Sequence, residues 1–417
     1  MSQLATNPKV LGFIDRWCGG TACAVLTVFR KLFGGREIVT PEHKGLLFMK
    51  LAEQGSTVLA SAAIRDAVQR HGRENVYFFV FQENRFILDA LDVIPSENVL
   101  TVNTKNAFTM ITSALEVVGR IRRMKLAACV DMEFFARSTA VLCYLTGIPI
   151  RVGFHAWHAG EGPFRGDLFT RRLRYNPHLH SSVTFRSLVA AVDDREPDLM
   201  PRFDWHADEE LLPLPHFQPT PEEVAAVRSL VAETTSPGRK ALVLLNANAS
   251  DLLPLRRWPN ENYLELARRV LALSEHYYVG FTGGPAEARK VADIVAQLDH
   301  PRVVCFAGRT TLRELLALYN ESDVLVTNDS GPAHFAALTS VETVVLFGPE
   351  TPKLFGTLSP NTQSITAGLA CSPCVSALNN RQTNCRDNVC MRRISVDQVF
   401  QAVTVALERR QAASVAA

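Results

Sequence analysis

The chain has 417 residues, of which 47% are hydrophobic and 21% charged, and a net charge of +2. That length exceeds one ordinary core and suits two domains, and the composition excludes wholesale disorder. The near-neutral balance gives no global signal for nucleic acid, but basic residues cluster at 120–125, 171–174 and 256–257, which suits an acidic or phosphorylated ligand.

Residues 1–43 read as an N-terminal arm. Its apolar stretch from Trp17 to Phe33 is interrupted by Arg30 and Lys31, so it falls short of the roughly 18 apolar residues of a transmembrane span. Asp15 before it and the basic charges after it make a poor secretory signal. Two readings stay open: a packed or loosely ordered N-terminal helix, or an amphipathic element lying on a membrane surface.

Residues 45–51 read as a buried strand, followed by the loop 52–56 and a helical pattern through Ile64, Val68 and His71 that ends near Gly72. Strand, glycine-containing loop and helix in that order read as the first unit of a parallel α/β sheet. The alternation continues with strand 76–81, helix 86–91, strand 99–102, helix 109–118, strand 126–130, helix 134–145 and strand 151–154. Six prolines between 197 and 221 then break it, and the linker proper is expected at 211–221. A second series follows: strand 241–245, helix 261–273, strand 277–282, helix 287–298, strand 303–306, helix 312–320, strand 324–327, helix 332–338 and strand 343–347. Each strand is a short apolar run, as expected when both faces are covered. The expected fold is α/β, two Rossmann-like domains with parallel sheets facing a cleft. Residues 44–210 form the first domain, 222–394 the second, and 395–417 a closing helix and tail.

The segment Thr327-Asn328-Asp329-Ser330-Gly331-Pro332-Ala333-His334 leaves a strand and enters a helix at Pro332. Free N–H groups and the positive helix end favour an anion there, and Gly331 lets a phosphate approach the backbone. The bland alternative is a helix capped by Asp329 or Ser330. Five of the nine cysteines lie in apolar stretches and read as buried thiols of a reducing cytoplasm. The other four, Cys371, Cys374, Cys385 and Cys390, admit a tetrahedral zinc site, disulfides or free thiols. No Asp-x-Asp triplet of the kind that holds a diphosphate through a divalent cation occurs.

TNDSGPAHFAAL followed by VVLFGPETP resembles the donor-site signature of glycosyltransferase family 9, which contains the ADP-heptose:lipopolysaccharide heptosyltransferases. KLAEQGSTVLASAAIRDA, VDMEFFARSTAVLCYLTGIPIRVGF, LLNANASDLLPLRRWPNENYLELA, FTGGPAEARKVADIV, FAGRTTLRELLALYNESDVLVTNDSG and the CSPC…RRISVDQV end resemble further segments of that family in the same order, over roughly residues 45–405.

The resemblance implies a GT-B transferase with a nucleotide-sugar donor and a lipid-linked or lipopolysaccharide-core acceptor. It implies inversion; the missing triplet suits a metal-independent enzyme without a cofactor, and the free thiols suit a cytoplasmic one at the inner face of the cytoplasmic membrane. Asp329, Ser330, Gly331 and His334 fall on donor diphosphate and sugar positions, and Arg256 on a basic position used against donor phosphate. Thr282, Gly283 and Gly284 follow a strand and are expected against the nucleotide, with Glu287 reaching a ribose hydroxyl. Gln54 and Gly55, with the basic rim of Arg122 and Arg123, are expected to bind the acceptor. The family pattern is broken at Ser56, where an Asp usually serves as general base. Glu53 in the same loop is the candidate replacement, with Asp131 a weaker one. Two rival readings stand beside this: a family member using another sugar nucleotide or glycan acceptor, and a catalytically weak sugar-nucleotide-binding protein.

Overall fold

The computed structural model describes residues 12, 15–33, 39–40, 42–158, 160–193, 214–249, 253–379 and 381–416. The chain divides into two compact units, Met1–Leu212 with Ser376–Gln382, and Pro213–Val375 with Thr383–Ala417. The short piece Ser376–Gln382 thus joins the first unit, although the sequence reading put it within the second domain.

In the first unit a π-helical turn at Asp15–Gly19 leads into α1 (Gly20–Phe33). The α/β series then runs β1 (Leu46–Met49), α2 (Gln54–Leu59), α3 (Ser61–His71), β2 (Val76–Phe81), α4 (Arg85–Leu91), β3 (Val99–Val102), α5 (Ala107–Met124), β4 (Ala128–Asp131), α6 (Arg137–Leu145), β5 (Ile150–Phe154), β6 (Arg171–Leu173) and α7 (Ser181–Ala190). The strands lie in the order β3-β2-β1-β4-β5-β6, and all pair in parallel.

The second unit runs α8 (Pro221–Thr234), β7 (Ala241–Asn246), α9 (Asn260–Leu273), β8 (Tyr277–Phe281), α10 (Ala288–Ala296), β9 (Val303–Cys305), α11 (Leu312–Asn320), β10 (Val324–Asn328), α12 (Gly331–Ala336), β11 (Glu342–Phe347), α13 (Pro352–Phe355), β12 (Thr362–Thr366), α14 (Val389–Arg392) and α15 (Val396–Ala416). Its sheet, β12-β11-β10-β7-β8-β9, is also all parallel and has the same topology as the first. Each is the doubly wound order of a Rossmann fold.

Right-handed crossovers place the helices that follow β1 and β2 on one face of a sheet and those that follow β3 and β4 on the other. The packing of the first unit obeys this. Leu47, Met49, Phe79 and Cys129 face a core that also takes Val118 and Ile121 of α5, Ala140 and Cys143 of α6, and Cys23 of α1. In the second unit, β7, β8 and β10 pack on α9 and α15 around Trp258. The Trp258 indole donates to the Ile394 carbonyl at 2.9 Å and meets the Tyr263 ring edge-on at 5.0 Å.

The sequence reading did not contain β6, α7, α8, β12, α13 and α14, and it gave as part of the loop 52–56 the residues where α2 begins. The proline-rich run read as linker already carries the start of α8. Thr220 and Glu223 form a reciprocal capping box with Pro221 at the first helical position. The helix expected from residue 134 begins instead at Arg137, because residues 132–136 wrap the buried Arg165. That guanidinium takes the carbonyls of Phe134, Ala136 and Phe154. Among the described residues no helix is long and apolar enough to cross a membrane.

Candidate active site

In each sheet the chain reverses direction of progression between the first and fourth strands. Loops leaving the carboxyl ends of those two strands diverge and open a crevice, the usual ligand position in such sheets. The pairs are β7 with β10 in the second unit and β1 with β4 in the first.

The β7–β10 crevice is lined by buried polar side chains that fix one another. Asn328 at the end of β10 accepts from the Trp258 amide at 3.0 Å and the Tyr263 hydroxyl at 3.2 Å, and donates to the Asn248 carbonyl at 3.0 Å. Asn246 at the end of β7 donates to the Thr282 hydroxyl at 3.1 Å. Asn248 donates to the Thr282 carbonyl at 3.3 Å. Arg256 donates to the Asp329 carbonyl at 3.2 Å and to Glu350 Oε2 at 2.8 Å, and its Nε lies 3.7 Å from Asp329 Oδ2. Two enclosed carboxylates therefore hold one guanidinium beside the Asn328-Asp329-Ser330 turn.

Ser330 stands at the N-cap of α12 in extended backbone and makes no side-chain cap. Its hydroxyl donates back to the Asn328 carbonyl at 3.1 Å. The plain side-chain cap considered from sequence is therefore not what forms. His334 is buried in the same short helix. At Gly331 a Cβ would sit 3.2 Å from the Phe335 ring, and at Gly283 it would sit 2.8 Å from Asn248 Nδ2. Glu287 accepts the Gly284 N–H at 2.8 Å through Oε2, which caps the turn into α10.

The β1–β4 crevice gathers charge. Glu53 has a left-handed backbone, φ 65°, at the mouth of α2. Its carboxylate pairs with Arg381 of the Ser376–Gln382 piece and accepts the Ser56 hydroxyl at 3.2 Å. Gln54 donates to the Glu83 carbonyl at 3.0 Å, and Gly55 is buried beside it. The Lys50 ammonium, fully buried, lies 3.7 Å from Glu133 and 3.9 Å from Glu53. Glu133 also accepts the Ala52 N–H at 3.0 Å. Burial raises the Glu133 carboxyl above its ordinary range; Lys50 opposes that shift and Glu53 reinforces it.

Asp131, the weaker candidate base, is a correction. Its carboxylate is fully enclosed, pairs with Arg165 and accepts from Thr139 at 2.9 Å. It braces the 132–136 loop and has no route to a substrate. Arg122 and Arg123 are a second. They lie in the last turn of α5, which runs back to the amino edge of the sheet, where Arg122 Nε is 3.6 Å from the position of a Cβ at Gly147. The ligand crevice is at the opposite, carboxyl edge.

The four C-terminal cysteines lie near enough together that the other three reinforce the burial-driven rise of the Cys390 pKa. Among the described residues, however, no three or more Cys, His, Asp or Glu side chains are arranged to hold a metal ion.

Sequence reasoning missed Lys50, Glu133, Arg381, Asn246, Asn248 and Glu350. Several ended apolar strands, as in LLNAN, and a polar residue closing a buried parallel strand is the available signal. Arg381 had none, because its partner lies 328 residues away.

The sequence model of glycosyltransferase family 9 (heptosyltransferase) matches residues 120–384. Lipopolysaccharide heptosyltransferase 2 of Salmonella typhimurium is 29% identical over 157 residues, 37% of this chain and 44% of that protein. Its Escherichia coli counterpart is 33% identical over 115 residues, 27% of this chain and 32% of that protein. The chain thus spans less than half the length of these relatives. The solved E. coli ADP-heptose lipopolysaccharide heptosyltransferase II superposes with a TM-score of 0.67 at 18% identity, covering 88% of this chain and 99% of that one. A glycosyl transferase family 9 structure from Veillonella parvula gives 0.66 at 18% identity, over 88% and 97%. At such identity the likeness is one of fold, the pair of Rossmann-like units of the GT-B type. The family match, in contrast, takes in more than half of the chain, from the end of α5 through the whole β7–β10 crevice, and on that ground the chain belongs to glycosyltransferase family 9.

Proposed function

We propose that this protein transfers a heptose-type sugar from a nucleotide diphosphate donor, ADP-heptose or a close analogue, to a hydroxyl of a lipopolysaccharide-core acceptor. The observation that carries the reading is the buried Asn246–Asn328–Asp329–Arg256–Glu350 cluster at the switch point of the second sheet, in a member of this family. The solved heptosyltransferase II that shares the fold is named for ADP-heptose.

In this reading the second unit holds the donor. Arg256, held ready by Glu350 and Asp329, faces the diphosphate with Ser330 and His334 and stabilises it as it leaves. Thr282 and Gly283 lie against the nucleotide, and Gly283 keeps the backbone close. The absence of an Asp-x-Asp triplet from the sequence supports neutralisation of the phosphates by side chains and backbone without a metal. The transfer is a single displacement with inversion at the anomeric carbon.

The first unit supplies the acceptor side through Glu53, Gln54, Gly55 and Ser56, and Glu53 takes the proton of the attacking hydroxyl. A second reading gives that proton to Glu133. Glu53 is already engaged by Arg381 and the Ser56 hydroxyl, whereas burial raises the Glu133 carboxyl and makes it the stronger base. A lipid-linked acceptor also calls for peripheral contact with the cytoplasmic face of the inner membrane.

The test is a panel of sugar nucleotides scored by nucleoside diphosphate release, with and without a lipopolysaccharide-core acceptor. Acceptor-dependent turnover of ADP-heptose is expected. Faster turnover of another sugar nucleotide would replace the donor. Tight donor binding without turnover on any acceptor would leave a sugar-nucleotide-binding protein.

A further inference from the structure

Helix α1 carries more apolar surface than the side it buries. Amphipathic helices normally turn their apolar stripe to the core and their polar stripe to water. Here Cys23, with Leu26 beside it, reaches the core, and polar contacts fix the rest of the inward side. Thr27 accepts the Asp167 N–H at 2.8 Å, and Arg30 donates to the Asp167 carbonyl at 2.9 Å. Asp15, just before the helix, accepts the N–H groups of Arg137 and Ser138 at 3.1 and 2.8 Å. The outward side is apolar: Phe29 is 53% exposed, Leu32 70% and Phe33 72%, with Val25 and Val28 beside them. These contacts hold the helix in one orientation, so the apolar side is presented and not merely frayed.

The helix α5 repeats the pattern on the same layer. It shares one core with α1 and α6 against a single face of the first sheet. Its inward residues Val118 and Ile121 are buried, while Phe108, Ile111 and Leu115 are 75%, 57% and 55% exposed. Positions 108, 111 and 115 recur at helical spacing, so they form one stripe.

The charges beside these stripes decide what covers them. Lys31 on α1 and Arg120, Arg122 and Arg123 on α5 are exposed, and Glu116 is the one acidic residue in the two helices. An apolar face with a cationic margin suits the boundary between acyl chains and anionic headgroups. A second copy of the chain would bring like charges together across a self-complementary interface.

We propose that the α1–α5 side of the first unit docks on an anionic phospholipid bilayer, with Phe29, Leu32 and Phe33 in the acyl boundary and Lys31, Arg122 and Arg123 at the phosphates. This assigns a surface to the membrane contact read above and rests on that contact alone. It is tested without donor or acceptor, so its failure leaves the transferase reading standing, and the failure of that reading leaves this one standing.

The experiment is flotation of the full chain with vesicles of phosphatidylcholine, with and without phosphatidylglycerol. Strong co-flotation with the anionic vesicles is expected, falling about tenfold at high salt. The double variant Phe29→Glu, Leu32→Glu is expected to lose at least about tenfold of that binding. Unchanged thermal melting and donor binding would show that it folds. Should the variant fail to fold, quenching of Trp17 fluorescence by brominated lipid, assigned by difference against Trp17→Phe, decides on the otherwise unaltered protein. No flotation of the wild type, flotation indifferent to the double variant, no lipid quenching of Trp17, or self-association that the variant abolishes would each overturn the proposal.

Discussion

Arg256 donates to Glu350 at 2.8 Å, and both side chains are almost wholly enclosed. A guanidinium held in that way is oriented before any ligand arrives, which lowers the entropic cost of binding a phosphate. Replacing it with alanine should weaken ADP or ADP-sugar binding by about 10- to 100-fold. Arg256→Lys should recover only part, because an ammonium lacks the bidentate fork. Titration calorimetry with ADP measures both, and wild-type affinity in Arg256→Ala would remove Arg256 from the donor site.

Glu53 and Glu133 make opposite predictions for the acid limb of the reaction. Burial raises the Glu133 carboxyl, so with Glu133 as base kcat/KM falls as pH drops through that raised value. Glu133→Gln then erases the limb and cuts kcat by about 10²- to 10⁴-fold, while Glu53→Gln has the smaller effect. If Glu53 is the base the two variants exchange roles. The stability sign runs the other way. An acid whose folded pKa is raised contributes stability at low pH and loses it as pH rises through the folded value. Denaturation of Glu133→Gln against wild type across that range reads this contribution separately from catalysis.

Arg381 offers an independent handle on Glu53. Arg381→Ala removes the cation paired with the Glu53 carboxylate. With Glu53 as base, the acid limb of the rate profile should move. With Glu133 as base, it stays near its wild-type position.

Gly283 is expected to matter through its backbone. A methyl group there would lie 2.8 Å from Asn248 Nδ2 and push that amide off the Thr282 carbonyl. Gly283→Ala should therefore raise the donor KM several-fold with little change in the melting temperature. A large fall in melting temperature would mean that the loop is needed for the fold itself.

Trp258 makes the contrasting case. It is buried and donates to Ile394, so Trp258→Ala should cost about 3–5 kcal/mol. The melting transition of the second unit should fall by about 10 °C. Activity measured well below that transition need change little.

Turnover is expected to be insensitive to EDTA, since the sequence has no Asp-x-Asp triplet. Loss of activity on chelation, restored by magnesium or manganese, would contradict the metal-independent reading.

The sequence by itself determined the repeated α/β alternation and the loop at Thr327–His334. Short apolar runs closed by polar or glycine residues mark buried parallel strands, and that signal is local. It did not carry the edges: β6 begins with two arginines and β12 is Thr362–Thr366, largely polar, because an edge strand is only half covered. Nor did it assign charged residues, whose roles depend on distant partners. Asp131 became a buried brace once Arg165 met it, and Glu287 a turn cap once Gly284 did. Arg122 and Arg123 fell at the amino edge because helices in a parallel sheet run back against the strands. Only the tertiary structure could set Lys50 between Glu53 and Glu133, or bring Arg381 onto Glu53. A carboxylate's chemistry is fixed by the charge and burial around it, and folding creates that environment.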